Sequence, residues 1–502
     1  MDWLVDLTFP GDSPGCDIPR IVRQESRVPS LLEGASAYSV RQECGIISLL
    51  FRESCVVVVL DGLSETPLSW QTSGSEDCMV MYLNPLCKWG WRSISLVEFG
   101  FLWSVFFAFW GPVPRYFGWL IAIIGLLAEF IRKKKAVSSL DRKVQILLLF
   151  ILVWGFFPSF FRLPDLYSFI KGYSLVLEFA FSLWIAARLY SEEMIKRFWS
   201  VFLLTAVISS IYSLFLFFSK NHFAGIYSNI LSLGLHGVVI LPFVLSRAFS
   251  NGTNCFFWIL SAGVFVLIAI SSSSGAWTTS VFCLFFLCVL GGKSYLKKIL
   301  LLLFLFIALF GGMVGILEKT NPALKKQLVT YMTREYSQLT SFHDFGKFTT
   351  NRAFIWKGSL NLIKKYPISG WGWGAFSEPF AQVNKSWWNE KQTGMKVDRI
   401  YDSHNMYLNL ATYAGIPSLV AVVLIFIFAA YKSFLYSRMC FENRWFWIAV
   451  CVSVPSILFL GFGGDIFSIR YKFACVFWYL LGFACKAAGN ETTQGICSET
   501  ET

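Results

Sequence analysis

Residues 298–317 read KILLLLFLFIALFGGMVGIL, one lysine followed by nineteen uncharged and almost wholly apolar positions. As a helix, twenty residues rise about 30 Å, the thickness of a bilayer's hydrocarbon. An amphipathic helix of a soluble domain would keep a polar face, and this stretch has none. Working outward, eleven further runs of the same kind lie at 94–110, 116–131, 144–161, 168–190, 198–218, 224–246, 256–272, 276–290, 405–431, 445–463 and 471–487. The seventh and eighth runs are separated only by Ser271 to Gly275, which also reads as the break of a re-entrant pair. Isolated strands leave their backbone unpaired in lipid, and a barrel would show alternating ten-residue segments. The expected fold is therefore an all-α polytopic integral membrane protein, with about 12 transmembrane helices and one large extracytoplasmic loop before span ten. Composition agrees: the 502 residues are 55% hydrophobic and 15% charged, where soluble domains run at roughly 25% charged.

The net charge of +12 could mark nucleic-acid binding or the basic cytoplasmic loops of a membrane protein. Its distribution decides for the second. Arg132 to Lys135 with Arg142 and Lys143 follow span two, and Arg188, Lys196 and Arg197 follow span four. Arg247 follows span six, Lys293, Lys297 and Lys298 span eight, Lys432, Arg438 and Arg444 span ten, and Lys486 span twelve. All follow even-numbered spans, which sets both termini in the cytoplasm and leaves no reason to invoke nucleic acid. The same parity puts residues 318–403 outside. That segment carries 13 basic and 7 acidic residues over 86 positions, and loops beyond about 60 residues escape the charge rule. Positive charge facing outward beside a bilayer suggests an anionic partner such as a phosphate.

The first 80 residues differ from the rest. They hold 12 acidic residues, 5 arginines and no lysine, a net of −7, so the remainder carries +19. Apolar patches at Gly45 to Phe51 and Cys55 to Leu60 are too short to span. No secretory signal is legible there. The segment reads as an extension without fixed structure, as a start placed upstream of Met79 or Met81, or as a small cytoplasmic domain. The expected organisation is a non-membrane segment at 1–92, spans one to nine at 93–317, the outer loop with an interfacial helix at 318–403, spans ten to twelve at 404–488, and a cytoplasmic tail at 489–502. The 13 cysteines form no metal-ligand spacing, and 318–403 contains none.

Within the outer loop, Ala353, Trp356, Leu360 and Ile363 recur at helical spacing, with Lys357, Lys364 and Lys365 elsewhere around the helix. This predicts an amphipathic helix lying in the interface plane, ended by Pro367. Ile368-Ser-Gly370-Trp-Gly372-Trp-Gly374-Ala-Phe376 follows. No strand precedes it, so it is no dinucleotide fingerprint. It reads as a tight turn whose glycines let backbone approach a head group, while Trp371 and Trp373 anchor in the interfacial belt. The loop ends in Tyr401-Asp-Ser-His404-Asn405, where Asp402 or Ser403 would cap span ten. His404 would sit at the outer boundary, where an imidazole either packs or takes a proton from an acceptor hydroxyl.

The pattern Arg352…Trp356…Pro367…Gly370-Trp-Gly-Trp-Gly374-Ala-Phe376…Ser403-His404-Asn405…Leu408…Gly415 resembles the O-antigen ligase and polymerase family of bacterial envelopes. The likeness is strongest over 350–420. It extends to Phe223 through Asn229 and Leu241-Pro242. The resemblance implies glycan transfer at the periplasmic face of the inner membrane, as in lipopolysaccharide biosynthesis. The donor would be a glycan on undecaprenyl diphosphate. The acceptor would be a sugar hydroxyl on lipid A–core or on a growing polysaccharide, or a protein in the glycosylating members. It further implies catalytic roles for His404, as base or orienter of the acceptor, and for Arg352, as a phosphate binder. Asn405, Gly370, Gly372 and Gly374 would contact substrate. No cofactor and no metal is expected, because arginines can stabilise a departing diphosphate.

One departure stands out. Members of the family commonly carry Ser-Arg-Gly at the outer end of a central span, and here the arginine position is Ser274. Either another cation substitutes, or transfer is weakened, or the substrate differs; the outer-facing candidates for a substitute are Lys220 and Arg470, then Arg115, Arg162 and Lys171. Asp465 and His222 are also outer-facing, and His236 falls inside span six as a hydrogen-bonding group of the bundle. Glu178, the one carboxylate deep in a span, is paired or protonated and faces the bundle interior, with Lys171 in reach only if the chain bends or water bridges. A transporter or flippase is the rival class. The lopsided outer loop and the absence of a repeat between the halves count against it.

Overall fold

A computed structural model describes residues 36–42, 45–52, 55–61, 94–132, 140–162, 166–220, 223, 225, 230–250, 255–341, 343, 349, 352–439, 443–464 and 474–486, with the backbone alone over the first three segments. The chain divides into units at 1–82 and 83–502. In the first, strands β1 (Ser36–Gln42), β2 (Gly45–Arg52) and β3 (Cys55–Asp61) form an antiparallel meander, with Gln42 opposite Gly45 and Arg52 opposite Cys55. The two apolar patches of the leader are thus strands. The run Val56 to Leu60 is rich in β-branched residues, which favour a pleated strand at that length.

The second unit is helical, and the chain is an all-α polytopic membrane protein in that body. Each of the twelve apolar runs holds a helix: α1 (Leu96–Phe106), α2 (Pro112–Ile131), α3 (Arg142–Arg162), α4 (Leu166–Arg188), α5 (Glu192–Lys220), α6 (Ile230–Ser250), α7 (Cys255–Ile270), α8 (Ser274–Gly291), α9 (Lys293–Thr320), and, after the loop, α13 (Met406–Met439), α14 (Arg444–Leu460) and α15 (Ala474–Ala484). Among the described residues eight are long and apolar enough to cross a membrane, and α1, α7, α14 and α15 are shorter apolar helices. The span window of α6 is 94% buried and that of α9 only 17%, so α6 is the axis of the bundle and α9 its rim. Around α6 pack α7, α8 and α14. Small hydroxyls serve the interior: His236 lies within 3.4 Å of Ser209 Oγ and 3.2 Å of Ser210 Oγ, as a buried imidazole requires.

Several charges of the body are paired. Arg115 Nη2 lies 2.9 Å from Glu178 Oε1, and Tyr116 donates to the same carboxylate at 3.3 Å. Glu178 thus takes its partner from the neighbouring helix α2, and Lys171, two turns along its own helix, lies instead over the Tyr167 ring. Arg188 pairs with Glu129 at 2.7 Å, and Arg197 with Glu98 and Glu193.

Residues 318–403 are largely helical where they are described. Asn321 caps α10 (Pro322–Leu339) through its side chain, with proline at the first position. Leu324 and Leu328 bury against Phe217, Phe223, Ile270 and Leu317. Then come α11 (Arg352–Lys365), α12 (Ser377–Asn384) and a single turn at Glu390–Thr393. The buried stripe of α11 is Ile355, Gly358, Ser359, Leu362 and Ile363, while Leu360 is exposed. The buried face is therefore rotated from the one expected from the sequence, because α11 packs on α12 and α13 and turns Ile355, Gly358 and Leu362 to protein while Leu360 stays outside.

Span ten differs most from expectation. α13 is broken at Ala414 (φ −129°, ψ 15°) and Gly415 (φ +79°, ψ 169°). Residues 406–413 form a short upper helix, and 416–439 form a lower helix about 36 Å long.

Candidate functional site

The break in α13 explains the Gly-Trp-Gly-Trp-Gly motif. A helix interruption leaves carbonyls without intrahelical donors, and in an apolar setting they need partners. Those partners come from residues 367–372. Trp371 N donates to Thr412 O and Gly372 N to Tyr413 O, both at 2.8 Å, and Ile416 N donates to Pro367 O at 2.8 Å. Gly370, at φ +69°, presses so close that a Cβ there would fall 2.5 Å from Tyr413 O. Trp373 has no exposed surface and fills a notch where α3 and α4 carry Gly155 and Gly172. A Cβ on Gly172 would lie 1.7 Å from the Trp373 carbonyl oxygen. Trp373 N also donates to Ser159 Oγ at 2.8 Å. Trp371 is almost as enclosed, and its Nε1 donates to Leu362 O at 3.0 Å. Neither tryptophan is an interface anchor: both are packed inside the protein, because the broken helix offers a docking edge that sequence periodicity does not reveal. Arg162 holds the same turn from outside, donating to Ser369 Oγ at 3.0 Å and to Gly370 O, with its guanidinium over the Tyr366 ring. Gly370, Gly372 and Gly374 therefore lie in this clasp.

Arg352 and the two residues that follow His404 are bonded to another element, the turn Gly461–Gly464 that closes α14. Arg352 Nη1 donates to Gly463 O at 2.9 Å. Asn405 Nδ2 donates to Phe462 O at 3.1 Å, and Met406 N to Gly461 O and Gly464 O. Trp356 Nε1 ties α11 to Ser403 O at 3.1 Å. The helix cap is Asn405, whose Oδ1 accepts from Leu408 N at 3.0 Å, and not Asp402 or Ser403. Asp402 instead serves His404. Its Oδ1 accepts the His404 amide at 2.8 Å and lies 3.0 Å from the ring Nδ1. A proton on Nδ1 shared with the carboxylate leaves Nε2 as the basic nitrogen. Asp402 is 8% exposed at its side chain and His404 35%, so the carboxylate is covered and the ring faces outward access. Sequence spacing gave Asp402 only a capping role. Its position two residues before His404 was the signal, since an Asx side chain reaches backbone two residues on.

Beside the turn lies a cavity of about 330 Å³, lined among others by Ser272, Ser274, Arg334, Glu335, Arg352 and Gly464. Ser274 N donates to Glu335 Oε2 at 3.2 Å. Among the described residues, Ser272 (φ +45°) and His404 (φ +51°) are the two non-glycines with positive φ. Such strain concentrates where surrounding structure enforces a working geometry. Arg334 and Glu335 escaped the sequence reading because they sit in a segment taken as loop. The Asn321-Pro322 helix start was the available signal.

The remaining candidates lie elsewhere. Lys220 is exposed at the end of α5 and is not among the residues that line the cavity. Arg115 is buried with Glu178. Arg470, Asp465 and His222 lie outside the described residues.

Around the Gly461–Gly464 turn the apolar helical bundle thus carries a cleft lined by two arginines and, on the adjoining segment, a carboxylate-oriented histidine. Residues 256–423 match the family model described as O-Antigen ligase. The match takes in Ser271 to Ser274, Arg334, Arg352, the clasp, His404 and the helix break. No curated protein matches the chain.

Proposed function

We propose that this protein transfers a glycan from undecaprenyl diphosphate to a sugar hydroxyl of lipid A–core or of a growing polysaccharide, at the periplasmic face of the bacterial inner membrane, with both termini cytoplasmic. The observation that carries the reading is the shared turn: Gly463 holds Arg352 and Phe462 holds Asn405, next to the Asp402–His404 pair. In the reaction the acceptor oxygen attacks the anomeric carbon of the donor sugar and the bond from that carbon to the diphosphate oxygen breaks. The acceptor proton passes to His404 Nε2, and Asp402 holds the ring in the tautomer that accepts it. Arg352 stays with the diphosphate as its charge develops, the contribution a guanidinium makes best. Asn405 and Trp356 fix the segment that carries His404. The clasp at Gly370, Gly372 and Gly374 supports the site by fixing the upper helix of α13. The basic clusters after the even-numbered spans support the orientation.

The test is transfer by the purified protein in lipid nanodiscs, with an undecaprenyl-diphosphate glycan as donor and lipid A–core, free polysaccharide and protein as acceptors. Product on one of the two glycan acceptors, lost in His404→Ala and in Arg352→Ala, is expected. Protein as the sole acceptor would move the chain to the protein-glycosylating branch. Full activity in both variants would refute the site.

A further inference from the structure

A diphosphate ester carries at least two negative charges, and Arg352 supplies one positive charge, with one of its nitrogens committed to Gly463 O. The second cation that lines the cavity is Arg334, on the outer face of α10. It reaches the cavity from a different element than Arg352, and α10 is held there by the buried Leu324 and Leu328 and by its contact with α8. Ser274, which lines the same cavity, carries no charge, and its amide is engaged by Glu335. The cavity therefore counts two arginines against one carboxylate, a surplus of one positive charge that vanishes without Arg334. Two guanidiniums lining one cleft, one exposed and one fixed by a backbone carbonyl, can each take one phosphoryl group of a diphosphate.

Resting on the transferase reading above, we propose that Arg334 is the second diphosphate-binding residue of this chain and contacts the leaving group of the donor from α10. The helix of the outer segment thereby forms one wall of the donor site, and the charge that α8 lacks at Ser274 is delivered across the cavity.

The test reads binding separately from transfer. The full-length protein in nanodiscs is titrated with undecaprenyl diphosphate and with undecaprenyl monophosphate. Arg334→Ala should weaken diphosphate binding about tenfold or more, the scale of one charge-assisted hydrogen bond, and monophosphate binding much less. Arg334→Lys should keep part of the affinity. Lys326→Ala removes a positive charge from the same helix, about 12 Å away along its axis, and should leave binding unchanged. Adding Ser274→Arg to Arg334→Ala restores the cavity's charge surplus and should recover diphosphate binding. Equal affinity of Arg334→Ala and the parent, an equal loss in Lys326→Ala, or a double variant as weak as Arg334→Ala would each overturn the assignment. If the parent binds the diphosphate and His404→Ala abolishes transfer while Arg334→Ala binds normally, the transferase reading stands and this inference alone falls. A parent that binds no diphosphate lipid removes both.

Discussion

Replacing Gly415 by alanine should loosen the protein more than any change of one methyl group elsewhere in α13. Two costs add. The backbone at φ +79°, ψ 169° lies in a region essentially reserved for glycine, and holding a side chain there costs about 1–3 kcal/mol. The new Cβ would also fall 1.9 Å from Ile368 O and 2.4 Å from Ile368 C, so the clasp must back away. Backing away breaks Ile416 N to Pro367 O, Trp371 N to Thr412 O and Gly372 N to Tyr413 O, all at 2.8 Å. At about 1 kcal/mol net each, the total reaches roughly 4–6 kcal/mol. The assay is thermal unfolding of the detergent-solubilised protein followed by tryptophan fluorescence, to which Trp371 and Trp373 contribute among the 20 tryptophans of the chain. Gly312→Ala in α9 is the control: nothing lies within 4 Å of its Cβ, and alanine there gains up to about 1 kcal/mol of helix propensity. A Gly415→Ala protein that unfolds at the parent's temperature, with unchanged fluorescence, would refute the clasp.

Other outcomes follow from the same geometry. Trp373→Ala should empty the notch between α3 and α4 and cost about 3–5 kcal/mol, read as a lowered unfolding temperature. Asp402→Asn should cut kcat by about two orders of magnitude with little change in donor KM, because His404 loses its orienting carboxylate while the cavity stays intact. Glu178→Ala should strand the buried Arg115 and destabilise the protein by about 3–5 kcal/mol. Lys171→Ala should be neutral in the same unfolding assay, which separates the two possible partners of Glu178.

The helices were legible wherever apolar length alone decides. Each of the twelve runs contains one, and the resemblance carried by Arg352, Gly370 to Gly374 and His404 pointed to the family whose model matches residues 256–423. What stayed hidden depends on tertiary partners. Leu360 is exposed and Gly358 buried because α11 turns toward α12 and α13, a choice that hydrophobic periodicity within α11 cannot make. Trp371 and Trp373 resemble interfacial anchors until the broken α13 supplies an edge for them. Gly415-Ile-Pro417 is a breaker signal in its own right, but it lies inside an apolar run long enough to pass for one unbroken span. Arg334 was missed with α10, whose polar sequence hides a helix that buries two leucines.

The notch that receives Trp373 also has a history. Ser159 and Trp373 are 214 positions apart. At synthesis rates of about 5–20 residues per second, α3 and α4 precede their filling residue by roughly 10–40 s. Through that interval Gly155 and Gly172 border an unoccupied groove, and the serine hydroxyl that will meet the Trp373 amide has no such donor. The α3–α4 pair is thus an open receptacle during biogenesis. The residue that closes it comes from a loop delivered only after nine helices of the bundle, and α13 and α15, which pack on α3 and α4, are delivered later still.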